Sequence, residues 1–368
     1  MATSPPPSNL GPGFAWPLIT LGDAYQPRPP IQWAVHGIFR RSSLNIVYGA
    51  PGCLKSFLLL DLCACVAAGK DWLEPLPGQS GHAVRTTQGT ALYADFDNGA
   101  ETTLDRLAAI GRAYKQSATT PLYMVSMPDP WLDLTDEGGP RSSPNRVDHA
   151  QRLANWIKGC NGTLAVLDNL GVISGDADEN SGDMVRIMSR LRWVAQDTGA
   201  TIIVVHHQRK GNGVKARAGD SLRGHSSIEA AIDLALLVER DADIVTVTAT
   251  KTRSAEVRPF GARFTYQQQS GSNQLESARF FAARPATSDM RYLIEDAIID
   301  VLSDNKQRNQ SSLIAEVQQA VEASSNNNKR PGVKAVQNGI DTLVSRGTVA
   351  RQPGLTNNAI LYSLVITP

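Results

Sequence analysis

The sequence lacks several features that would assign it to a common functional class. It has almost no net charge, because 36 Lys and Arg residues face 35 Asp and Glu residues among 368. Any contact with a nucleic acid must therefore be local. Cysteine is scarce, and its four residues form no Cys-x-x-Cys pair, which argues against a zinc site. We expect small buried thiols in a reducing compartment.

Long apolar runs are also missing. The longest, residues 57–68, is interrupted by Asp61 and is too short to span a bilayer. The N-terminus has no basic segment followed by an apolar one, so we expect no signal peptide. These absences predict a cytoplasmic protein without membrane contact.

Three segments differ in composition and periodicity. Residues 1–30 are rich in Pro, Gly and Ser and predict a flexible N-terminal arm. Over residues 31–286, strand patterns alternate with helix patterns, which predicts an α/β fold with a mostly parallel sheet flanked by helices. Residues 287–368 predict a small winged-helix-like domain, because three helix patterns precede a β-hairpin pattern.

The element boundaries follow from the apolar runs and their periods. The last three strands of the α/β segment have no helix pattern between them, so we expect an antiparallel extension there. The predicted strands are 44–48, 91–96, 122–126, 164–167, 201–205, 234–239 and 244–251, with 348–351 and 361–365 as the hairpin. The predicted helices are 57–68, 102–114, 147–159 and 183–198, followed by 292–302, 313–321 and 333–346.

The most informative motif follows the first strand. It consists of Gly49, Ala50, Pro51, Gly52, Cys53, Leu54, Lys55 and Ser56, with Phe57 opening the helix. It fits the phosphate-binding pattern G-x-x-x-x-G-K-[ST] except at Leu54, where the pattern has glycine. In such a loop, backbone amides and a helix N-terminus face a polyphosphate, Lys55 contacts the terminal phosphates and Ser56 binds Mg²⁺. The alternative is a Gly/Pro turn that only opens a buried helix.

Acidic side chains follow two further strands. Asp168 ends the run 164–167 and is predicted to complete the Mg²⁺ shell at the carboxyl edge of the sheet. Asp97 is the candidate for the group that orients the attacking water, and Asp95 alternates with it and is considered to point the same way. A buried strand that happens to end in Asp, and a solvated Asp-Asn-Gly turn, remain the alternatives.

The strand 201–205 is followed by His206 and His207 and then by a basic loop. A polar residue at this strand end is placed to contact a γ-phosphate on one side and the loop on the other. The loop is glycine-rich and has no aromatic residue, so it predicts contact with a nucleic-acid backbone without base stacking. A solvated loop is the alternative. Its basic residues are Arg209, Lys210, Lys215, Arg217 and Arg223.

Lys251 and Arg253 end a late strand. In a ring-forming protein, such cations can reach the γ-phosphate of a neighbouring subunit, as arginine fingers do. From the residues alone, a surface turn is the favoured interpretation.

Taken in order, these motifs resemble RecA-like ATPases of the plasmid RepA replicative-helicase type, a group of AAA-type P-loop ATPases. The resemblance runs from about Trp33 to Phe260. Its motifs are Gly-Ala-Pro-Gly-x-x-Lys-Ser, Leu-Tyr-x-Asp-x-Asp-Asn-Gly, Leu-Asp-Asn-Leu, Asp-Glu-Asn, Val-Val-His-His, Arg-Gly and Lys-x-Arg. It implies ATP and Mg²⁺ as cofactors and a homo-hexamer that moves along single-stranded DNA.

The resemblance also implies roles for individual residues. The catalytic positions are Lys55, Asp97, Asp168, His207, Lys251 and Arg253. His207 is the γ-phosphate sensor, and Lys251 and Arg253 are the trans-acting pair. Asp97 stands where the family usually has glutamate, so its shorter carboxylate must reach farther. If the position of Leu54 needs a positive φ, leucine costs roughly 1–2 kcal/mol of strain.

The resemblance does not extend to the C-terminal segment, which depends on its own residues. Basic side chains flank its third helix, against Asp341 alone, and predict contact with duplex DNA. Docking to another protein is the alternative. The basic residues are Lys329, Arg330, Lys334, Arg346 and Arg351.

The sequence thus predicts a Mg²⁺- and ATP-dependent DNA motor, in particular a ring-forming replicative helicase of a plasmid or phage-type element. Two alternatives remain. One is an ATP-dependent DNA-binding initiator or regulator that switches without unwinding. The other is a scaffold that does not hydrolyse ATP.

Overall fold

The chain divides into two compact units, Met1–Gln32 and Trp33–Pro368. The computed structural model describes residues 19–79, 83–127, 148–174, 182–207, 226–254, 256–286, 289–324, 329–354 and 360–365.

The described part of the first unit is exposed and contains one short helix, α1 (Leu21–Tyr25). Thr20 and Asp23 form a capping box at its start, in which the Thr20 amide donates to Asp23 Oδ2 at 2.8 Å and the Asp23 amide donates to Thr20 Oγ1 at 3.2 Å. Because no residue of α1 is buried, this cap is its main local support. The arm predicted for residues 1–30 lies partly outside the described residues.

A nine-stranded sheet forms the centre of the second unit. A short antiparallel pair, β1 (Trp33–Val35) and β2 (Phe39–Arg40), precedes it. The nine strands are β3 (Ser43–Gly49), β4 (Thr90–Asp95), β5 (Leu122–Ser126), β6 (Gly162–Asp168), β7 (Thr201–His207), β8 (Leu234–Asp241), β9 (Ile244–Thr252), β10 (Phe260–Gln268) and β11 (Leu275–Ala283). Their spatial order is β11-β10-β9-β8-β3-β7-β6-β4-β5, in which β8 to β5 run parallel and β9 to β11 antiparallel.

Helices cover both faces of this sheet. They are α2 (Lys55–Ala68), α3 (Ala100–Ala113), α4 (His149–Gly159), α5 (Leu170–Ile173), α6 (Gly182–Thr198) and α7 (Ser226–Ala231). One apolar core holds α2 and α3, and a second holds α4 to α7. All seven residues of β3 are buried, with Val47 in the first core and Ile46 and Tyr48 in the second, because successive side chains alternate between faces. The predicted α/β fold with a mostly parallel sheet is confirmed.

The predicted antiparallel extension is wrong in its extent. β7 and β8 are both parallel neighbours of β3, and only β9 among the last three predicted strands runs antiparallel. The short helix α7 lies between β7 and β8, and six residues are too few to show a helical period. The β10–β11 hairpin was not predicted, because both strands mix apolar residues with exposed polar ones.

The C-terminal residues form three helices and a small sheet around a separate apolar core. The helices are α8 (Met290–Leu302), α9 (Gln310–Ser324) and α10 (Val333–Ser345), and the strands are β12 (Arg308–Asn309), β13 (Val349–Pro353) and β14 (Ile360–Leu364). β14 pairs with β12 on one side and β13 on the other. The three helices and the hairpin lie where the sequence predicts them, and the winged-helix assignment stays a prediction.

None of the helices that the structure describes is long and apolar enough to cross a membrane. All four cysteines are free thiols; Cys53, Cys63 and Cys65 are buried, as expected for small apolar side chains.

Candidate nucleotide site

The carboxyl ends of four parallel strands meet at one edge of the sheet. Gly49 of β3 pairs with His207 of β7, and Asp95 of β4 pairs with Asp168 of β6. This register brings the loop after β3, Asp97, Asp168 and His207 around one cavity of about 230 Å³. The sequence-predicted residues Lys55, Ser56 and Phe57 line the same cavity.

Lys55 is the buried cation of this cavity. It begins α2 and is only 5% exposed. Its Nζ donates to the carbonyl oxygens of Gly49 at 2.9 Å and Ala50 at 3.0 Å, and lies 3.5 Å from Cys53 Sγ. Because these partners are dipoles and a thiol, the charge of Lys55 is not cancelled by a carboxylate there and stays available for an anion.

Leu54 is the N-cap residue of α2 and has a left-handed conformation, with φ 68° and ψ 20°. A leucine therefore occupies a conformation that normally favours glycine. Its half-buried side chain packs against the core that contains α2, which offsets part of the strain. Leu54 makes no side-chain cap, so the first-turn amides of α2 are open to an external acceptor such as a phosphate.

Gly49 allows the neighbouring strand to approach the loop closely. A Cβ at this position would lie 2.2 Å from the carbonyl oxygen of Val238 and 3.0 Å from Cys53 Sγ. Gly52 has φ +79° and faces open space. The first glycine of the loop is thus required by packing, and the second by its backbone conformation.

Asp168 and Ser56 form the oxygen-ligand pair of the site. Asp168 is 2% exposed, and its Oδ2 accepts a hydrogen bond from Tyr93 Oη at 2.6 Å. Burial raises the pKa of Asp168 above its usual range, while hydrogen bonds from Ser56 and Tyr93 oppose that shift. A bound cation would favour the ionised form, and a hydroxyl beside a carboxylate fits the oxygen preference of Mg²⁺.

Asp97 and His207 line the cavity and form a polar cluster with Asn169. Asn169 Nδ2 donates to Asp97 Oδ2 at 3.1 Å and lies 3.4 Å from His207 Nε2. The His207 ring nitrogen is 3.9 Å from the same carboxylate oxygen. About half of each of the Asp97 and His207 side chains is exposed, so both are accessible from the cavity.

Asp95 does not join this cluster, and the idea that it points the same way as Asp97 is wrong. It is fully buried and accepts hydrogen bonds from the amides of Asp97 and Asn98 and from Thr103 Oγ1. Burial alone would raise the pKa of Asp95, but these hydrogen bonds hold it below its usual range. Asp95 therefore shapes the turn that carries Asp97.

Lys251 and Arg253 lie near the amino ends of the parallel strands, at the edge of the sheet opposite the carboxyl ends that form the cavity. Thr252 pairs with Leu234, which pairs with Asn45, four residues before Gly49. At about 3.3 Å per residue, the four residues from Asn45 to Gly49 correspond to roughly 13 Å along β3. The two cations are therefore not part of the cavity in their own subunit.

The surroundings of these two cations differ. Burial, followed by the charge of Arg253, lowers the pKa of Lys251 below its usual range. Arg253 donates to the carbonyl oxygen of Ala230, and its Nη1 is 4.0 Å from Asp233 Oδ1.

The predicted DNA-contacting residues have different outcomes. Arg209, Lys210, Lys215, Arg217 and Arg223 lie outside the described residues. Lys329, Arg330 and Lys334 are exposed near the start of α10, and Arg330 lies 3.8 Å from Glu322. Arg346 donates to Glu295 and Glu256, so its charge is compensated within the chain, and contact of the C-terminal basic residues with DNA stays a prediction.

Three residues of the site were missed by the sequence analysis. Arg106 of α3 lines the cavity, and its guanidinium lies 4.9 Å from the centre of the Phe57 ring. Tyr93 and Asn169 bind the carboxylates described above. Arg106 gives no sequence signal, since an arginine on an amphipathic helix is usually solvated. Tyr93 and Asn169 did stand in two motifs of the resemblance, Leu-Tyr-x-Asp-x-Asp-Asn-Gly and Leu-Asp-Asn-Leu, without a role being assigned to them.

The fold and the cavity define an α/β protein with a RecA-like P-loop NTPase core. A family model described as an AAA domain matches residues 11–213, more than half of the 368-residue chain. The chain therefore belongs to this AAA domain family, which makes it an ATPase of the P-loop class. The matched segment contains Lys55, Asp97, Asp168 and His207 and ends before Lys251.

Proposed function

We propose that this protein is a Mg²⁺- and ATP-dependent DNA motor that hydrolyses ATP between subunits of a ring, most specifically a replicative helicase of a plasmid or phage-type element. The observation that carries the proposal is the separation of two charged sets. Lys55, Asp97, Asp168 and His207 surround one cavity, whereas Lys251 and Arg253 lie at the opposite edge of the sheet. A second subunit would bring the missing cations to the cavity.

The residues have distinct roles in this proposal. Lys55 and the first-turn amides of α2 bind the phosphates, and Asp97 orients a water for in-line attack on the γ-phosphorus. The new P–O bond forms as the bond to the bridging oxygen breaks, which yields ADP and phosphate, and the water proton passes to Asp97. Bound Mg²⁺, held by Ser56 and Asp168, would neutralise phosphate charge. His207 would contact the γ-phosphate, and Arg253 of a neighbour would stabilise the charge that develops.

The decisive experiment measures ATP hydrolysis with and without single-stranded DNA, together with strand displacement on a forked duplex. A motor is expected to show DNA-stimulated turnover and displacement. ATP hydrolysis without displacement would contradict the helicase proposal, and the absence of nucleotide binding would favour the scaffold.

A DNA-binding switch is the second candidate. Asp97 is one methylene shorter than the glutamate implied by the resemblance, so its carboxylate reaches less far towards an attacking water. This difference favours slow hydrolysis, and the exposed basic residues near the start of α10 are a candidate DNA-binding surface outside the nucleotide cavity. Slow ATP turnover with ATP-dependent DNA binding and no displacement would support this candidate.

Asn169 is expected to position the Asp97 carboxylate. Its Nδ2 donates to Asp97, while its Oδ1 accepts from the Val172 amide at 3.3 Å and caps α5. We expect Asn169→Ser to lower kcat about tenfold with little change in KM, because serine can still cap the helix but cannot reach Asp97. Steady-state ATPase kinetics and thermal unfolding measure the two effects separately. An unchanged kcat would contradict the role of Asn169 in positioning the Asp97 carboxylate.

Leu54→Gly tests whether the unusual residue limits ATP binding. Since the backbone is already left-handed, we expect the Kd for ATP to change by less than about threefold. Relative to Leu54→Ala, which loses the same packing but keeps a Cβ, the glycine variant is expected to be about 1 kcal/mol more stable. ATP titration and urea unfolding of both variants give these values. A large gain in affinity with glycine would mean that the native loop is strained away from its binding conformation.

A further inference from the structure

The chain segment that follows Arg253 is attached to the C-terminal helices. This segment, which we call the β9–β10 connection, comprises residues 253–254 and 256–259 of the described chain. It starts with the cation proposed to act on a neighbouring subunit. Two of its side chains, Glu256 and Arg258, bind side chains of α8 and the C-cap of α10.

Arg258 contributes the first half of this attachment. Its Nη2 lies 2.7 Å from Asp296 Oδ1 and 3.4 Å from Glu295 Oε2. Its guanidinium also lies 5.8 Å from the centre of the Tyr292 ring. All three partners belong to α8, so Arg258 is held by one helix on several sides.

Arg346 and Glu256 contribute the second half. Arg346 Nη1 donates to Glu295 Oε2 at 3.0 Å, and its Nη2 donates to Glu256 Oε2 at 3.2 Å. Tyr292 Oη donates to Glu256 Oε1 at 2.7 Å. The charges therefore alternate along the row Arg258, Glu295, Arg346 and Glu256, and the backbone between Glu256 and Arg258 closes this row into a circuit.

Burial makes this circuit costly to break. Glu295 is 6% exposed and shared by two arginines, so the loss of either partner leaves a buried carboxylate poorly compensated. Val257, between the two charged residues of the connection, is 8% exposed and belongs to the core around α2. The connection is thus fixed both to the sheet domain and to the C-terminal helices.

We propose that the C-terminal helices α8 and α10, acting through this ion-pair circuit together with the direct contacts of Arg253 to Ala230 and Asp233, position Arg253, so that hydrolysis in the neighbouring subunit depends on the placement of these helices. The inference rests on the proposed trans action of Arg253. Arg258 is a positioning residue, since it acts through the connection and lines no part of the nucleotide cavity. Lys334 lies in the first turn of α10 and Arg346 at its end, so a ligand bound at the basic surface would act along one helix.

Mixed oligomers test this proposal. Subunits with Arg253→Ala keep an intact nucleotide cavity, and subunits with Lys55→Ala keep an intact Arg253. Mixing the two before assembly is expected to restore ATP hydrolysis in the cavities of the Arg253→Ala subunits. Adding Arg258→Gln to the Lys55→Ala subunits is expected to lower the restored kcat about tenfold without changing KM. Arg258→Lys in the Lys55→Ala subunits, in place of Arg258→Gln, is expected to give a kcat between that of Arg258→Gln and that of the unsubstituted Arg258.

Arg284→Gln is the matched control in the Lys55→Ala subunits. Arg284 lies 2.5 Å from Asp300 and ties the residues after β11 to the same helix α8 by an ion pair that involves no residue of the β9–β10 connection. We expect it to leave the restored kcat unchanged. A loss equal to that of Arg258→Gln would mean that any loosening of α8 matters, and it would overturn the specific role of the circuit.

The outcomes separate the two proposals. If mixing Arg253→Ala subunits with Lys55→Ala subunits that carry no further substitution restores no ATP hydrolysis, trans action is contradicted, and with it the proposed function. Recovery that Arg258→Gln leaves intact would overturn only the positioning role. If Arg258→Gln subunits fail to fold by circular dichroism, Glu256→Gln replaces them; it alters the exposed end of the circuit and is expected to lower kcat about threefold. An unchanged kcat with Glu256→Gln then overturns the proposal.

Discussion

Lys55→Ala is expected to lower ATP hydrolysis by about 10³-fold, since it removes the cation that, among the described residues lining the cavity, is buried and placed to contact the phosphates. Nucleotide binding should weaken as well. The fold should survive, because a buried ammonium held only by carbonyl oxygens and a thiol is costly to bury and its removal relieves that cost. ATPase assays, nucleotide titration and thermal unfolding of the same sample measure all three quantities.

Lys70→Ala is the control for this change. Lys70 follows the end of α2, and its Nζ donates to the carbonyl oxygen of Tyr114 at 2.7 Å, away from the cavity. We expect unchanged hydrolysis and a stability loss of about 1 kcal/mol. Full activity in Lys55→Ala would contradict the assignment of the loop as a phosphate-binding loop.

Among the glycines that the structure describes, Gly49 is the one whose replacement by alanine is expected to be the most damaging. The added Cβ would stand 2.2 Å from the carbonyl oxygen of Val238, so either β3 and β8 must separate or the loop must move. We expect a loss of about 3 kcal/mol or more in the free energy of unfolding, together with loss of nucleotide binding. Urea unfolding and nucleotide titration provide the measurements.

Gly111→Ala is the matched control. Gly111 lies inside α3, and apart from its chain neighbours and the backbone of its own helix no atom stands within 4 Å of an added Cβ. Alanine there is expected to stabilise the protein by about 0.5–1 kcal/mol. If Gly49→Ala behaved like Gly111→Ala, the close approach of β8 to the loop would be wrong.

Much of the site was predictable because each functional side chain lies at the end of a buried parallel strand. An apolar run followed by a polar residue locates such an end, as for Asp168 after β6 and His207 after β7. Sequence could not separate Asp95 from Asp97, because both lie at the same strand end. Only the turn after β4 decided that Asp95 is enclosed by amides while Asp97 reaches the cavity.

Residues that reach the site from other elements were beyond a sequence pattern. Arg106 enters from a helix face, and its approach to Phe57 depends on how α3 packs against α2. The same holds for the antiparallel strands β10 and β11, whose mixed residue pattern reflects a sheet edge covered on one face only.

The sequence by itself determined the parallel core, the phosphate-binding loop and the strand ends that carry its acidic and imidazole partners, because strands buried on both faces leave continuous apolar runs that end at polar residues. Tertiary structure alone decided which side chains meet. It placed Leu54 in a left-handed conformation, put Lys251 and Arg253 at the opposite edge from the cavity, and joined Arg258 to Glu295 across 37 residues of chain. Contacts of this kind depend on how separate elements pack, and no local period records them.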